Sequence, residues 1–377
     1  MSVKILQNSI RIRRTPFSDR VENSGLTSVT VYNRMLLPTV FKSLEEDYYH
    51  LKNAVQLWDV SVQRQVEICG KDSSKLLKML TPRNLSDMKP NQCFYIPMVN
   101  RNGGMVNDPV LVKLEEDRYW ISIADSDVLL WVSGIVSGLD LDVSVFEPDV
   151  FPLAIQGPKS RKLMSIIFGS NIEKMKYFDL KEFSFNNHTL KIARSGWSKQ
   201  GGYEIYVEGY KYALDLWDEL MSNGKDLDVR AGCPNQIERI ESGFLSYGSD
   251  MTIENSPFEC DLGRFCGPEI ELTCIGAKAL IKEKLEGPKQ IIRYLQIDGP
   301  KLDPINKTFM LVDRTSKVGS VSSCAFSPDF NTNVAIGMVD TNYLKNNDQV
   351  EALIGDQKRL TKIMDKPLNR KLRAFSD

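Results

Sequence analysis

The chain predicts an α+β protein with a β-rich C-terminal module. Helical apolar stripes alternate with strands that pair as hairpins over most of its length. From about residue 286 the helices give way to short strands split by Gly, Pro and Asn turns. No repeat of roughly 20–50 residues marks a solenoid. With 377 residues, the chain exceeds one ordinary core. A division into residues 1–285, two interleaved α+β subdomains, and residues 286–377, a β-barrel, is therefore expected.

KDSSKLLKMLTP (71–82) sets Leu76, Leu77 and Leu80 on one stripe, with Asp72 as N-cap and Pro82 as the stop. GPKSRKLMSIIFG (157–169) opens on Pro158 and closes at Gly169. In 210–224 the stripe is Leu214, Trp217 and Leu220 or Met221; in 234–248 it is Ile237, Ile240, Phe244 and Tyr247. MVNDPVLVKL and RYWISIA form a hairpin across EED, and KEFSFNN and TLKIARS form another. KLEGPK ends the last helix, after which IIRYLQID, GSVSSCAF and NVAIGMV read as strands of a small barrel or sandwich.

Composition narrows the chemistry. The apolar (42 %) and charged (26 %) fractions are those of a soluble globular protein. Lys plus Arg (48) balance Asp plus Glu (49), so no basic stripe points to nucleic acid. No apolar run is long enough for a signal peptide or a membrane span, which predicts a cytoplasmic protein with no membrane partner. Seven cysteines without a CxxC pair fit free thiols. The only histidines, His50 and His188, lie in a helix-like stretch and a turn, neither beside a ligand cluster. A metal site and a Ser-His-Asp triad are both unexpected. Carboxylates, aromatics or a cofactor must carry any reaction.

Three stretches offer those groups. In ARSGWSKQGGYEIYVEG (193–209) a glycine-rich turn holds Trp197, and strand alternation then puts Glu204, Tyr206 and Glu208 opposite Tyr203, Ile205 and Val207. Either that first face is solvated and Trp197 caps a core edge, or an aromatic box with a carboxylate awaits a cation or heterocycle. In NRNGGMVNDPVLVKL (100–114), Asp108 and Pro109 interrupt an apolar strand, as an edge bulge or to aim a carboxylate into a cavity. CFYIPMV (93–99) offers Tyr95 to the same cavity. Arg239, between Glu238 and Glu241 in helix 234–248, reads as a structural ion-pair partner.

Taken in order, WDVSVQRQVEICGKD, NGGMVNDPVLV, LAIQGPKS, RSGWSKQGGYEIYV, CPNQIERIESGFLSYG and SPFECDLG resemble the glycine-cleavage T-protein (aminomethyltransferase) family along nearly the whole chain. The resemblance implies a three-domain fold, a folate-binding region at 1–285 and tetrahydrofolate as co-substrate, without a metal. It places Asp108 at the reacting end of the folate, as the catalytic carboxylate. Tyr95, Ser122, Tyr177, Phe178, Trp197, Glu204 and Tyr247 fall on the folate side, with Glu204 on the pteridine ring. The sequence departs from aminomethyltransferases at Asn107 for Asp, Val62 for His, Asn235 for Arg, and in the loop Trp-Ser-Lys-Gln-Gly-Gly. NDPV, WISIADSD and GCPNQIERIES are similar to a branch that moves a methyl group from a sulfonium to N5 of tetrahydrofolate.

A sulfonium leaves as a neutral thioether, so alignment and exclusion of water matter more than acid catalysis. Trp197, Phe178 and Tyr206 are the expected aromatic box for the cation. Lys199 or Arg194 is expected to meet the substrate carboxylate. The partners implied are a small sulfonium and a folate, with a homodimer as a possible assembly. Three alternatives stay open: an aminomethyltransferase working with a lipoyl carrier protein, a folate-dependent demethylase of another onium or methylamine donor, and a folate-binding scaffold for iron–sulfur assembly. The scaffold requires a loop cysteine that SGWSKQGGYE does not have.

Overall fold

The computed structural model of the chain describes residues 6–7 and 9–369. Residues 1–5, 8 and 370–377, at the outer ends of the two expected regions, lie outside the described residues. The hairpin across EED forms, with Val110–Glu115 antiparallel to Arg118–Ser122. Ser144–Phe146, Gln65–Cys69 and Gln92–Tyr95 extend it to a five-stranded antiparallel sheet. The second hairpin, Leu180–Phe185 with His188–Ala193, opens a six-stranded sheet. That sheet continues through Gly202–Glu208, Val150–Gln156, Val55–Asp59 and Val229–Ala231.

Alternation along Gly202–Glu208 decides what each face buries. Tyr203, Ile205 and Val207 pack under helices Ser160–Phe168 and Ala213–Asn223, with Leu163, Met164, Leu216 and Trp217. Tyr206 packs the other way, with Trp120, Val112, Leu114 and Cys93 of the five-stranded sheet. The face carrying Glu204 and Tyr206 is therefore not solvated, because a second sheet covers it. The two sheets are stitched at their edges by Cys93 N–H to the Phe178 carbonyl (2.8 Å) and Leu180 N–H to the Asn91 carbonyl (2.9 Å).

Helix Ala277–Glu286 is stopped at Gly287, and the barrel begins three residues later at Gln290–Ile297. Its order is Gln290–Ile297, Thr332–Asp340, Ser316–Ser327, Phe309–Asp313, Gln349–Ile354, Gln357–Met364, closed on itself. The three strands read from the sequence are the first, third and fourth along the chain. No helix among the described residues is long and apolar enough to cross a membrane.

Three local expectations need correction. Leu76, Leu77 and Leu80 are buried in helix Ser73–Leu80, but Asp72 does not cap it; its Oδ2 accepts instead from the Asp142 N–H at 2.9 Å. In Ala213–Asn223 the buried stripe is Ala213, Leu216, Trp217 and Leu220, and Leu214 faces solvent. The helix expected over 234–248 is only Gln236–Ser242. Gly243 adopts φ +77° and donates to the Ile240 carbonyl, while Phe244 N–H reaches back to Arg239. That is a Schellman stop, which an apolar stripe does not register.

Candidate active site

MVNDPVLV does not run through as one strand. Met105–Asn107 pairs with Met98–Val99 in a two-stranded sheet, and the five-stranded sheet resumes at Val110. Pro109 has no N–H for a ladder, so Asp108 and Pro109 fall in the gap. The Asn107 amide is pinned: Nδ2 donates to the Ala124 carbonyl (3.1 Å) and Ser126 Oγ (2.8 Å), and Oδ1 accepts from Ala124 N–H (3.0 Å).

Asp108 turns the other way. The Tyr95 hydroxyl donates to its Oδ2 at 3.0 Å, and its Oδ1 is enclosed with no hydrogen-bond partner. Burial pushes this carboxyl up to about 7, the Tyr95 bond acting weakly against it. Tyr247 closes the far side, its hydroxyl donating to the Met105 carbonyl at 2.9 Å; burial, with the Asp108 charge second, raises the phenol to about 12. Phe265 lies against Tyr95 with ring centres 4.7 Å apart.

Glu204 is the second carboxylate, 8 % exposed on the face between the sheets. It accepts from the Ser195 hydroxyl, and burial raises its pKa. Its charge lifts the Cys93, Tyr177 and Tyr206 groups, behind the larger effect of their own burial. Tyr206 is 1 % exposed, packs on Trp120 at 5.5 Å and directs its hydroxyl toward Ser122, whose Oγ accepts from Gln65 Nε2 at 3.0 Å. Cys93 and Tyr95 share one face of Gln92–Tyr95, two residues apart. Glu204 and Asp108 accordingly flank one interior, at the Cys93 and Tyr95 ends.

Phe178 enters from the sheet edge with φ +66°, a conformation bulky residues adopt only under constraint. The constraint is visible: its N–H donates to Arg194 at 2.9 Å and its carbonyl accepts from Cys93 at 2.8 Å. Its ring stacks on half-exposed Tyr177, centres 4.2 Å apart and planes at 19°.

The Trp197 turn is built around Gln156. Ser198 Oγ donates to Gln156 Oε1 (2.8 Å), and Gln156 Nε2 donates to the Ser195 carbonyl (3.2 Å). A Cβ on Gly196 or Gly202 would sit 2.0 or 2.2 Å from Gln156 Nε2, so the turn requires both glycines. Trp197 is partly exposed, 6.1 Å from the Phe244 ring, with the Arg239 guanidinium 5.9 Å from its centre. Arg239 is an ion-pair residue, buried with Asp250 at 2.7 Å and donating to Ser323 Oγ of the barrel at 2.6 Å.

The structure therefore brings Asp108, Tyr95 and Tyr247 together at one end, and Glu204, Ser122, Tyr206, Tyr177 and Phe178 at the other. Trp197 is tied to Glu204 through Ser195, not by ring contact with Phe178 or Tyr206. Arg194 is occupied with the Met175 carbonyl, and Lys199 Nζ donates to the Asn369 carbonyl at 2.6 Å. Sequence reasoning missed Tyr32, whose phenol is raised by burial and by Asp108 and Asp125 nearby. Its signal was SVTVYNRMLLPTV: alternation across Asn33 and Arg34, which both take positive φ at the tip of hairpin Ser28–Tyr32/Met35–Val40. Arg264 and Phe265, in the short helical turn Gly263–Phe265, carry no comparable pattern, and Phe244, on the stripe read over 234–248, arrives from the segment beyond the helix end at Ser242.

Two family profiles cover this architecture. The GCVT N-terminal domain matches residues 17–269, and the Glycine cleavage T-protein C-terminal barrel domain matches 292–369. The chain belongs to the glycine cleavage T-protein family. Among T-protein relatives, dimethylsulfoniopropionate demethylase DmdA of Ruegeria pomeroyi is 50 % identical over 335 residues, covering 89 % of this chain and 91 % of that one. An aminomethyltransferase of Thermoanaerobacter sp. is 26 % identical over 344 residues, covering 89 % and 92 %. In structure, the aminomethyltransferase T of the glycine cleavage system from Bartonella henselae superposes with a TM-score of 0.84 at 20 % identity, covering 95 % and 98 %. The T-protein departures are structural here. Asn235, where an Arg was expected, caps Gln236–Ser242 by accepting from Ile237 and Glu238 N–H, and donates to the Leu44 carbonyl at 2.9 Å.

Proposed function

We propose that this chain is a tetrahydrofolate-dependent demethylase. It moves a methyl group from the sulfonium of dimethylsulfoniopropionate to N5 of tetrahydrofolate, giving methylmercaptopropionate and 5-methyltetrahydrofolate. The 50 % identity to a dimethylsulfoniopropionate demethylase over 89 % of the chain carries this reading. The enclosed, unpartnered Oδ1 of Asp108 and the buried Glu204 support the folate, because two fixed acceptors between aromatic walls suit a flat, donor-rich ring. Residues 1–285 are assigned the folate and substrate and residues 286–377 the barrel, which reaches the site through Ser323 and Asn369.

When bound, tetrahydrofolate supplies the N5 lone pair that accepts the methyl group. The protein's part is placement. Glu204 accepts from ring and amino N–H groups. Asp108, ionised above about pH 7, holds the reacting end and takes the proton released from N5, directly or through water. Phe178 and Trp197 present ring faces to the sulfonium, with Tyr206 beneath. Aromatic faces hold a desolvated cation by about 2 kcal/mol. The sheets on either side exclude water.

The test is a single-turnover incubation with dimethylsulfoniopropionate and tetrahydrofolate, followed by mass spectrometry. One-for-one formation of both products, only when both reactants are present, is the expected result. Folate binding without methyl transfer would discard the sulfonium and redirect the search to other onium donors and aminomethylated carrier protein.

A further inference from the structure

The Trp197 turn is held from two sides. Gln156, at the end of strand Val150–Gln156, takes one side through Ser195 and Ser198. Glu238, of helix Gln236–Ser242, takes the other. Its Oε1 accepts from the Lys199 backbone N–H (3.0 Å) and Gln200 Nε2 (3.0 Å), both in the turn, and from Ser242 Oγ (2.9 Å) on its own helix. The same helix brings the Arg239 guanidinium to 5.9 Å from the Trp197 ring centre, and Phe244, just past its end, to 6.1 Å.

Glu238 is a costly residue for this position. It is 1 % exposed and forms no ion pair among the described residues: Lys199 Nζ donates to the Asn369 carbonyl, and Lys52 is paired with Asp329 and Glu241. Burial raises its pKa, and the bonds from Gln200, Lys199 and Ser242 act against that rise. An unpaired buried carboxylate is destabilising, so an apolar side chain of that size would serve the packing better. The turn gives the carboxylate its use. Three of residues 196–202 are glycines, whose backbone loses the most freedom on ordering. Without Glu238, the Lys199 N–H and the Gln200 amide lose their acceptor, and the turn loses its anchor on the helix side.

We propose that Glu238 is a positioning residue for the methyl donor: it fixes the Trp197 turn so that the indole meets the sulfonium at a set place, and it touches neither reactant itself. This rests on the methyl-transfer reading, in which Trp197 presents a ring face to the cation. A displaced ring weakens its hold on the cation and misaligns the S–CH₃ bond with N5.

The test compares Glu238→Leu and Glu238→Gln in protein carrying 5-fluorotryptophan. Trp197 is one of five tryptophans, and Trp197→Phe identifies its fluorine resonance. In ligand-free E238L that resonance should shift and broaden while the other four hold their places. With dimethylsulfoniopropionate, E238L should lose about tenfold to a hundredfold in kcat/KM. Tetrahydrofolate affinity by calorimetry should change less than about threefold, because Ser195 still holds Glu204. E238Q keeps an acceptor oxygen for all three donors and should restore both readouts. An unmoved Trp197 resonance, all five moving together, or undiminished kcat/KM in E238L overturns the proposal and leaves the functional reading intact. Absence of methyl transfer by the unaltered protein overturns the functional reading and the donor role with it. Should E238L fail to fold, Gln200→Leu carries the test: Gln200 is buried with its Oε1 unpartnered, so Leu removes one bond to Glu238 and strands no further group in the turn. Its Trp197 resonance should move in the same direction, and an unmoved one overturns the proposal.

Discussion

Asp108 predicts an unusual exchange of stability for activity. Its carboxyl holds a proton up to about 7, against an ordinary value of 3.8, because the site encloses it. The folded chain therefore binds more protons than the unfolded chain between those limits, and stability falls as pH rises through that window. At about 1.4 kcal/mol per pH unit, the burden above pH 7 approaches about 4 kcal/mol. Asp108→Asn removes the charge and keeps the shape. Thermal melts of ligand-free protein should show D108N and the parent nearly equal at pH 4, with the variant gaining until it melts on the order of 5 °C higher at pH 8. The same variant should lose about a hundredfold or more in kcat/KM. The parent's kcat/KM should rise through about pH 7 and level off, a step D108N lacks. Parallel melting curves across pH 4–8 would refute the enclosed-carboxylate argument, and undiminished turnover would remove Asp108 from the reaction.

Other substitutions separate site from scaffold. Glu204→Gln should weaken tetrahydrofolate about tenfold to a hundredfold in calorimetry, since a charged acceptor becomes a half-donor facing N–H groups. Gly196→Ala drives a Cβ into Gln156, so it should lower both folate affinity and melting temperature; an unchanged melt would mean that the turn yields freely. Arg239→Gln leaves Asp250 buried without its cation and should cost about 3–5 kcal/mol in denaturant titration. Alkylation of native protein with iodoacetamide should leave methyl transfer intact, because six of the seven thiols are buried and only Cys69 is partly exposed. Inactivation would revive the scaffold alternative.

Periodic features were legible in the sequence. Period-two runs located both hairpins and three of the six barrel strands, and period-3.6 stripes located four helices, because these patterns record burial directly. The interruption at Asp108 and Pro109 was visible as a pair of poor strand residues. Features set by non-local packing were not. Nothing in YEIYVEG says that a second sheet covers Glu204 and Tyr206, and the solvated reading follows from the strand alone. Gly243 stops a helix whose stripe continues to Tyr247, so the apolar spacing misleads about Phe244. The Trp197 turn depends on Gln156, about forty positions earlier, a dependence that local spacing does not encode. Tyr32 reaches the site from the end of strand Ser28–Tyr32 and Phe265 from the short helical turn Gly263–Phe265, where position rather than residue type makes them relevant.

The bond from Lys199 to Asn369 joins residues 170 positions apart. A ribosome adding roughly 5–20 residues per second finishes that second partner on the order of ten to thirty seconds after the first. Through most of that interval the Trp197 turn exists without its last tether, the six-stranded sheet around Glu204 being fully encoded once Val229–Ala231 has been added. The pocket is thus assembled in two instalments during synthesis, and the final one arrives just after Gln357–Met364, the strand that closes the barrel.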